Sequence, residues 1–456
     1  MVSTDARYAV CADVGSTYTK VAVVDLDAAR LVAAAGHPTT SDSDVVVGLD
    51  AAVAEAPAGL PGGLPLWVCS SAGGGLRLAV VGYEALVTAE AGHRVGLSAG
   101  AQVVHVAAGE LDRAAVASLR AARPDVVLLV GGTDGGDGAV LRHNAARLAA
   151  ARLRVPVVVA GNAEARGDAA STLSARGVPV TVTGNVLPRI GVLEPGPARS
   201  AIRDVFLRHV IGGKRLSRGR RFASLVRAAT PDAVLAAVEV LADVSGAGVL
   251  VVDVGGATTD VYSALVPDAE AQSGPRRDVA GTLWRARTVE GDLGVGVGAP
   301  GVAAAAVAER LADPADPVLA AVAGRPTRPT DPAGGDTAGR GGRHDVAVDR
   351  RLATLAATVA LRRHARGHAA GPGAPRTGGR DLRDVRLVVG SGGVLRHGGG
   401  GQVLDAVLGD TAGGWAAPAA ADRVVDVAYV LAAAGLLAGA HRDVAEALLR
   451  EHLLGR

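Results

Sequence analysis

The chain has almost no aromatic side chains. Phe, Trp and Tyr make up 2% of 456 residues while apolar types reach 49%, so its cores must be built from Ala, Val and Leu. Readers of single-stranded nucleic acid that stack bases on rings are excluded. An excess of one charge is missing too. Lys+Arg 47 against Asp+Glu 45 leaves a formal +2, far from the basic surplus a phosphate-backbone binder needs, and no nucleic acid is expected as a partner. Two cysteines, Cys11 and Cys69, cannot make a disulfide framework or a four-cysteine metal site and read as reduced, buried residues. No basic-then-apolar leader precedes Ala9, and the expected location is cytoplasmic. The longest apolar stretch, Val427 to Ala440, falls short of the roughly 18–20 residues of a spanning helix. It reads as a buried helix, with no membrane partner.

Lysine and asparagine are nearly absent. Lys20 and Lys214 stand against 45 Arg, and Asn144, Asn162 and Asn185 are the three asparagines. Codon drift in a high-GC genome removes both types, so those that persist invite a chemical reason.

The length fits two or three domains of roughly 150 residues. Tyr8–Val14 is an apolar run ending at a Gly-Ser-Thr turn, and Thr19–Asp25 and Leu31–Gly36 follow at short spacing, which predicts a β-meander. Asp44–Glu55 reads as a helix and Leu66–Ser70 as a strand. From Asp125 the pattern alternates: strands Val126–Val130, Val155–Ala160 and Val178–Thr183, helices Ala139–Arg152 and Ala163–Arg176. That predicts a parallel Rossmann-like unit. Helices are expected over Ala198–His209 and Pro231–Ala242. Then the opening pattern returns, with strands Gly248–Val254 and Asp260–Leu265 around a glycine turn. Gly324–His344 and Arg366–Arg380 lack a hydrophobic period and are expected to be disordered loops. A helix at Val348–His364 lies between them, a last strand spans Val385–Val389, and C-terminal helices fall within Val424–Leu449.

Three glycine turns carry the chemistry. Asp13-Val14-Gly15-Ser16-Thr17-Tyr18-Thr19-Lys20 puts a carboxylate at a strand end before a turn of small residues. Gly15, Ser16 and Thr17 can hold phosphate oxygens by backbone N–H and hydroxyl groups, while Asp13 holds a metal-bound water. Hairpin pairing can return the Lys20 ammonium to the same phosphates. Asp253-Val254-Gly255-Gly256-Ala257-Thr258-Thr259-Asp260 repeats the design, with Asp253 as the second carboxylate and Gly255, Gly256, Thr258 and Thr259 as the second phosphate turn. Glycines at Gly390, Gly392 and Gly393, after the last strand, let an adenine or ribose lie flat against the backbone. Each turn alone is also an ordinary hairpin or strand-to-helix connection. The roles of the Gly131–Gly136 loop and of Glu290 and Asp292 stay open. His364 and His368 lack companion ligands at metal spacing and read as surface or helix-end residues.

The order of these turns resembles the phosphate-one, phosphate-two and adenosine motifs of the actin, sugar kinase and Hsp70 superfamily. A closer resemblance rests on Ser70-Ser71-Ala72-Gly73-Gly74, Gly131–Gly136, His143-Asn144-Ala145, Ala160-Gly161-Asn162, Asn185-Val186-Leu187-Pro188 and Arg287–Gly294. It extends to the helix carrying Arg362-Arg363-His364, to the third glycine turn and to Tyr429–Leu437. These segments look like the mutase-associated MutL family, which shares only a name with the mismatch-repair protein. One departure follows Gly294, where the family has a Met-Arg pair and this chain has Val295-Gly296.

The resemblance implies an α/β, two-lobed actin/Hsp70-like ATPase with duplicated ribonuclease H-like lobes and an inserted Rossmann-like unit. The N-terminal lobe is expected at 1–124, the inserted, partner-binding unit at 125–190, a helical connection at 191–247 and the C-terminal lobe at 248–456. It further implies a reactivating chaperone for an adenosylcobalamin-dependent mutase such as glutamate mutase, using ATP and Mg²⁺ at Asp13 and Asp253 and binding the mutase subunits. The alternative is a small-molecule kinase of the same superfamily. An iron–sulfur activator is disfavoured because Cys11 and Cys69 lie in or beside separate strands.

Overall fold

The computed structural model describes residues 6–41, 43–55, 63–72, 76–84, 87–99, 101–211, 216–219, 221–266, 284–323, 346–369, 376–377, 379–397, 399–412 and 414–455. The chain forms two compact units. One falls within Met1–Ala72, Ala233–Val266 and Arg287–Arg456, the other within Gly73–Asp232 and Pro267–Ala286, counting the described residues of each.

In the first unit, β1 (Tyr8–Val14), β2 (Tyr18–Asp25) and β3 (Arg30–Pro38) form the expected antiparallel meander. Most of β1 and β2 is buried irrespective of strand face, which is why the runs read as continuous rather than alternating. α1 (Val45–Ala54) starts at Asp44, whose carboxylate accepts from the Val46 N–H at 3.0 Å. That satisfies one of the donors a helix start leaves open. β4 (Leu66–Ser70) then lies parallel to β1.

The second unit runs through β5 (Arg77–Gly82), α2 (Thr88–Ser98), β6 (Gln102–Ala108), α3 (Arg113–Ala121), β7 (Val126–Leu129), α4 (Ala139–Ala151), β8 (Val157–Val159), α5 (Arg166–Ser174) and β9 (Val180–Val182). Its five strands are parallel in the order β6-β5-β7-β8-β9. The Rossmann-like pattern read from residue 125 is therefore part of a larger unit. Residues 76–124 belong to it, although the sequence reading placed them in the N-terminal lobe. α6 (Pro195–Val205), α7 (Arg221–Leu225) and β10 (Val226–Ala229) also fall inside it. The sequence hid α2 because glycine is a poor helix former. Here glycine serves close packing: a Cβ added at Gly92 would come within 2.7 Å of Val80, and one at Gly96 within 2.6 Å of Leu78. The core gathers Val81, Val127, Leu129 and Val159 with Leu141 and Leu173.

α8 (Thr230–Ser245) carries the chain back into the first unit. There follow β11 (Gly248–Val254), β12 (Thr259–Ala264), β13 (Arg285–Glu290), α9 (Ala299–Ala308), α10 (Pro317–Ala323) and α11 (Val346–Arg366). The two-residue strands β14 (His368–Ala369) and β15 (Arg376–Thr377) pair antiparallel. Last come β16 (Val385–Ser391), α12 (Gly393–His397), α13 (Gly400–Leu408), β17 (Asp422–Val425), α14 (Val430–Leu437) and α15 (Arg442–Leu449). The expected loop Gly324–His344 lies outside the described residues; within Arg366–Arg380 the described part includes the β14–β15 pair. No helix among the described residues is long and apolar enough to cross a membrane.

The sheet order is β13-β12-β11-β16-β17, with β12 antiparallel and β16 parallel to β11. Counted from its own first strand this is 3-2-1-4-5. The meander and β4 give 3-2-1-4 with the same strand senses beside the first strand. The fold is thus α/β with a duplicated ribonuclease H-like order, as in actin-like ATPases. One core joins Cys11 and Trp67 of the first sheet, Val249 and Tyr262 of the second, and Leu235 and Leu431 of α8 and α14.

The Arg362-Arg363-His364 segment of α11 is structural. Arg362 donates to both oxygens of Asp410 at 2.7 Å, and Arg363 pairs with Glu290 and Glu309. His364 is not at the surface: at 1% exposure it bonds Ser263 Oγ at 2.8 Å and Thr288 Oγ1 at 3.0 Å. Burial, with the charge of Arg380 adding, pushes its pKa down from 6.5 to about 3. The unfolded chain therefore takes up a proton that the folded chain refuses, and stability falls as pH drops through this window. His364→Gln keeps hydrogen-bonding atoms but does not titrate. Between pH 6 and pH 4 the unfolding free energy of the native protein should drop by about 2 kcal/mol more than that of the variant, measured by urea unfolding.

Candidate functional site

Strand register assembles the site. In the hairpin of β1 and β2 the last ladder pair is Val14–Thr19, and the pair before it is Asp13–Lys20. Directly opposed residues share a sheet face, so the carboxylate and the ammonium extend to the same side. The hairpin of β11 and β12 repeats this with Val254–Thr259 and then Asp253–Asp260. Both turns close alike: the Gly15 N–H donates to the Tyr18 carbonyl at 3.0 Å, and the Gly255 N–H to the Thr258 carbonyl at 2.8 Å. Ser16 is exposed, while Thr17, Gly255, Gly256 and Thr258 are half-buried. Thr259 is different, its hydroxyl being committed to the Leu293 carbonyl at 2.6 Å.

The parallel neighbour strand completes each repeat. Cys69 of β4 faces Asp13 and donates its thiol to Oδ1 at 3.6 Å. Ser391 of β16 faces Asp253 and hydrogen-bonds its carboxylate. Sequence reading missed both contacts, since they depend on strands that lie far apart in the chain. Cys69 and Cys11 are buried and in no disulfide, and burial pushes the Cys11 thiol up to about 12.

Electrostatics joins the repeats at Lys20. Burial works against its charge, yet Tyr429, Asp13, Asp253 and Asp426 together hold its pKa above the ordinary lysine value. Asp253 is pushed up to about 6 by burial, with Lys20 opposing the rise and Asp260 and Asp13 adding to it. Asp260 is itself held by the buried Arg287, whose Nε donates to it at 2.8 Å. A half-buried carboxylate with an elevated pKa suits a cation. Among the described residues no three His, Cys, Asp or Glu side chains come together as a metal cage. This donor set fits an ion such as Mg²⁺, which keeps most of its waters and leans on one or two carboxylates and on phosphates.

The third glycine turn packs onto the second. Gly392 has φ +103°, and a Cβ there would collide with the Val254 carbonyl. Only glycine fits so close beside Asp253. Gly390 is buried against Leu395 and Leu404, and Gly393 begins α12. The departure Val295-Gly296 also has a place, because the Val295 and Gly296 N–H groups donate to the Gly255 and Gly256 carbonyls at 3.1 and 2.8 Å. Glu290 is held in its ion pair with Arg363, and Asp292 lies exposed in the turn before α9.

The persistent asparagines hold loops of the second unit. Asn162 donates to the Thr133 and Gly136 carbonyls at 2.7 and 2.9 Å, and Asn185 to Gly132 and Asp134 at 3.0 and 2.8 Å. Gly131–Gly136 is thereby fixed at the carboxyl end of β7. Asn144 bridges the Gly109 carbonyl and the Leu111 N–H at 2.9 and 2.7 Å.

Comparison with known proteins agrees with the resemblance seen in the sequence. The sequence model of the MutL protein family matches residues 9–453. Protein MutL of Clostridium tetanomorphum is 33% identical over 462 residues, covering 97% of this chain and 98% of that protein. Among solved structures, ethanolamine utilization protein EutJ from Carboxydothermus hydrogenoformans is 13% identical and aligns over 98% of this chain and 92% of its own, with a TM-score of 0.29. ATP-dependent caprolactamase from Pseudomonas jessenii is 13% identical over 94% of this chain and 70% of its own, with a TM-score of 0.35. These two are distant likenesses, whereas the sequence match runs nearly end to end: the chain belongs to the MutL family.

Proposed function

We propose that this MutL-family chain is an ATPase that serves as a reactivating chaperone for an adenosylcobalamin-dependent mutase such as glutamate mutase. The observation that carries the nucleotide part is the repeated register, which puts Asp13 opposite Lys20 at the end of one hairpin and Asp253 opposite Asp260 at the end of the other. Gly15, Ser16 and Thr17 bind one end of a triphosphate and Gly255, Gly256 and Thr258 the other. Gly390, Gly392 and Gly393 border the adenosine. Asp13 and Asp253 would hold Mg²⁺ through its waters, and the ion would supply charge to offset that developing on the transferred phosphoryl group. Hydrolysis is then chiefly positioning and charge neutralisation. The second unit, with its asparagine-braced loop at Gly131–Gly136, is the proposed contact for the mutase subunits. The mutase part of the reading rests on family membership.

Asp13→Ala and Asp253→Ala should each lower Mg²⁺-dependent ATP turnover by about 100-fold or more while circular dichroism stays native. Full turnover in both would remove these residues from the site.

Lys20→Arg tests the cation. A planar guanidinium does not replace a compact ammonium in a close phosphate pocket, so kcat/KM for ATP should fall by about tenfold or more, whereas unchanged kinetics would place Lys20 outside the phosphate site.

The chaperone reading predicts that the protein with Mg-ATP restores activity to a mutase inactivated by hydroxocobalamin once adenosylcobalamin is added. A nonhydrolysable analogue should support complex formation without repeated turnover, since ATP can drive partner remodelling only by differential affinity for two states. If no such mutase is bound or reactivated and a metabolite is phosphorylated instead, the kinase reading takes its place.

A further inference from the structure

Tyr429 sits where several elements of the first unit meet. The Nζ of Lys20 on β2 lies 3.9 Å from its ring centroid, and the guanidinium carbon of Arg396 on α12 lies 4.4 Å from it. The negative face of an aromatic ring attracts cations at such distances. Rings make up only 2% of this chain, and this one is placed against a residue type that the chain uses twice.

The backbone is built to put the ring there. Tyr429 has φ +56°, a left-handed conformation that is uncommon for a bulky side chain and persists only where the surroundings fix it. Asp426, 1% exposed, supplies that fixing. Its carboxylate accepts the Val430 and Leu431 N–H groups at 2.9 and 3.1 Å, and its own N–H donates to the Gly390 carbonyl at 2.9 Å. The start of α14 is thereby tied to the third glycine turn, and its first donors are already taken by a carboxylate.

A lysine stem is flexible, and three carboxylates act on this one. The contact observed for the ammonium is with the ring face, at 3.9 Å, and it adds a hold that fixes where the end of the stem sits.

We infer that Tyr429 is a positioning residue for Lys20, its ring holding the ammonium between the two phosphate turns, with Arg396 linking that position to the Gly390–Gly393 segment. The inference rests on the proposed role of Lys20 at the phosphates.

Two measurements test it separately from ATP turnover and with it. Reductive methylation with ¹³C-formaldehyde labels the two lysines, and the Lys20 dimethylamine signal should be shifted upfield by the ring current. The shift should persist in Tyr429→Phe and vanish in Tyr429→Leu. In kinetics, Tyr429→Leu should raise KM for ATP by about 5- to 20-fold with a smaller change in kcat, and Tyr429→Phe should restore KM to within about twofold of the native value. In a Lys20→Met background the Leu substitution should cause no further loss, as a double-mutant cycle requires of residues that act through each other. A Lys20 signal unmoved by Tyr429→Leu, or an equal loss in both backgrounds, would overturn the inference. If the native protein neither binds nor hydrolyses ATP, the nucleotide reading fails, and the carbon signal still decides whether the ring holds Lys20.

Discussion

A half-buried ammonium must find negative charge, and around Lys20 that need is met from both repeats. Asp13 comes from the strand that pairs with its own, Asp253 from the first strand of the other sheet, and Asp426 from the turn before α14. Burial works against charge on Lys20, Asp253 and Asp426. Together they tolerate it, and the negative charge around Lys20 is drawn from both hairpins.

The repeats are alike in backbone and differ in chemistry. The position opposite the strand-end carboxylate is Lys20 in one and Asp260 in the other, and the neighbour on the parallel strand is Cys69 in one and Ser391 in the other. Two cations would repel each other; one cation and one arginine-neutralised carboxylate leave a single ammonium at the centre. Thr19 and Thr259 show the structural side of the duplication. Both are buried, and both spend their hydroxyls inside the protein, on Thr39 and on the Leu293 carbonyl.

Close backbone packing then stacks the remaining segments. Gly392 lies against Val254, and Val295 and Gly296 bond the backbone of Gly255 and Gly256. The second turn is held from both flanks without large side chains. A chain of small residues can do this cheaply, because the absence of Cβ atoms brings backbones within hydrogen-bonding reach. The three asparagines follow the same logic in the second unit, where each amide bonds backbone that the sheet cannot pair.

The sequence by itself determined the local features: both hairpins, β4, α1, the alternating pattern after residue 125, and the carboxylates that end β1 and β11. Period and turn chemistry act over a few residues, so a linear reading can find them. It missed α2 because Gly92 and Gly96 mimic a loop; of its two readings of His364, surface or helix end, the last turn of α11 bears out the second, and partners on β12 and β13 bury the ring. Only the tertiary structure decided that residues 76–124 belong with the parallel sheet, that Cys69 and Ser391 touch the two carboxylates, and that Tyr429 faces Lys20. Each of these depends on strand register and packing between segments far apart in the chain, and such contacts leave no periodic mark in either segment alone.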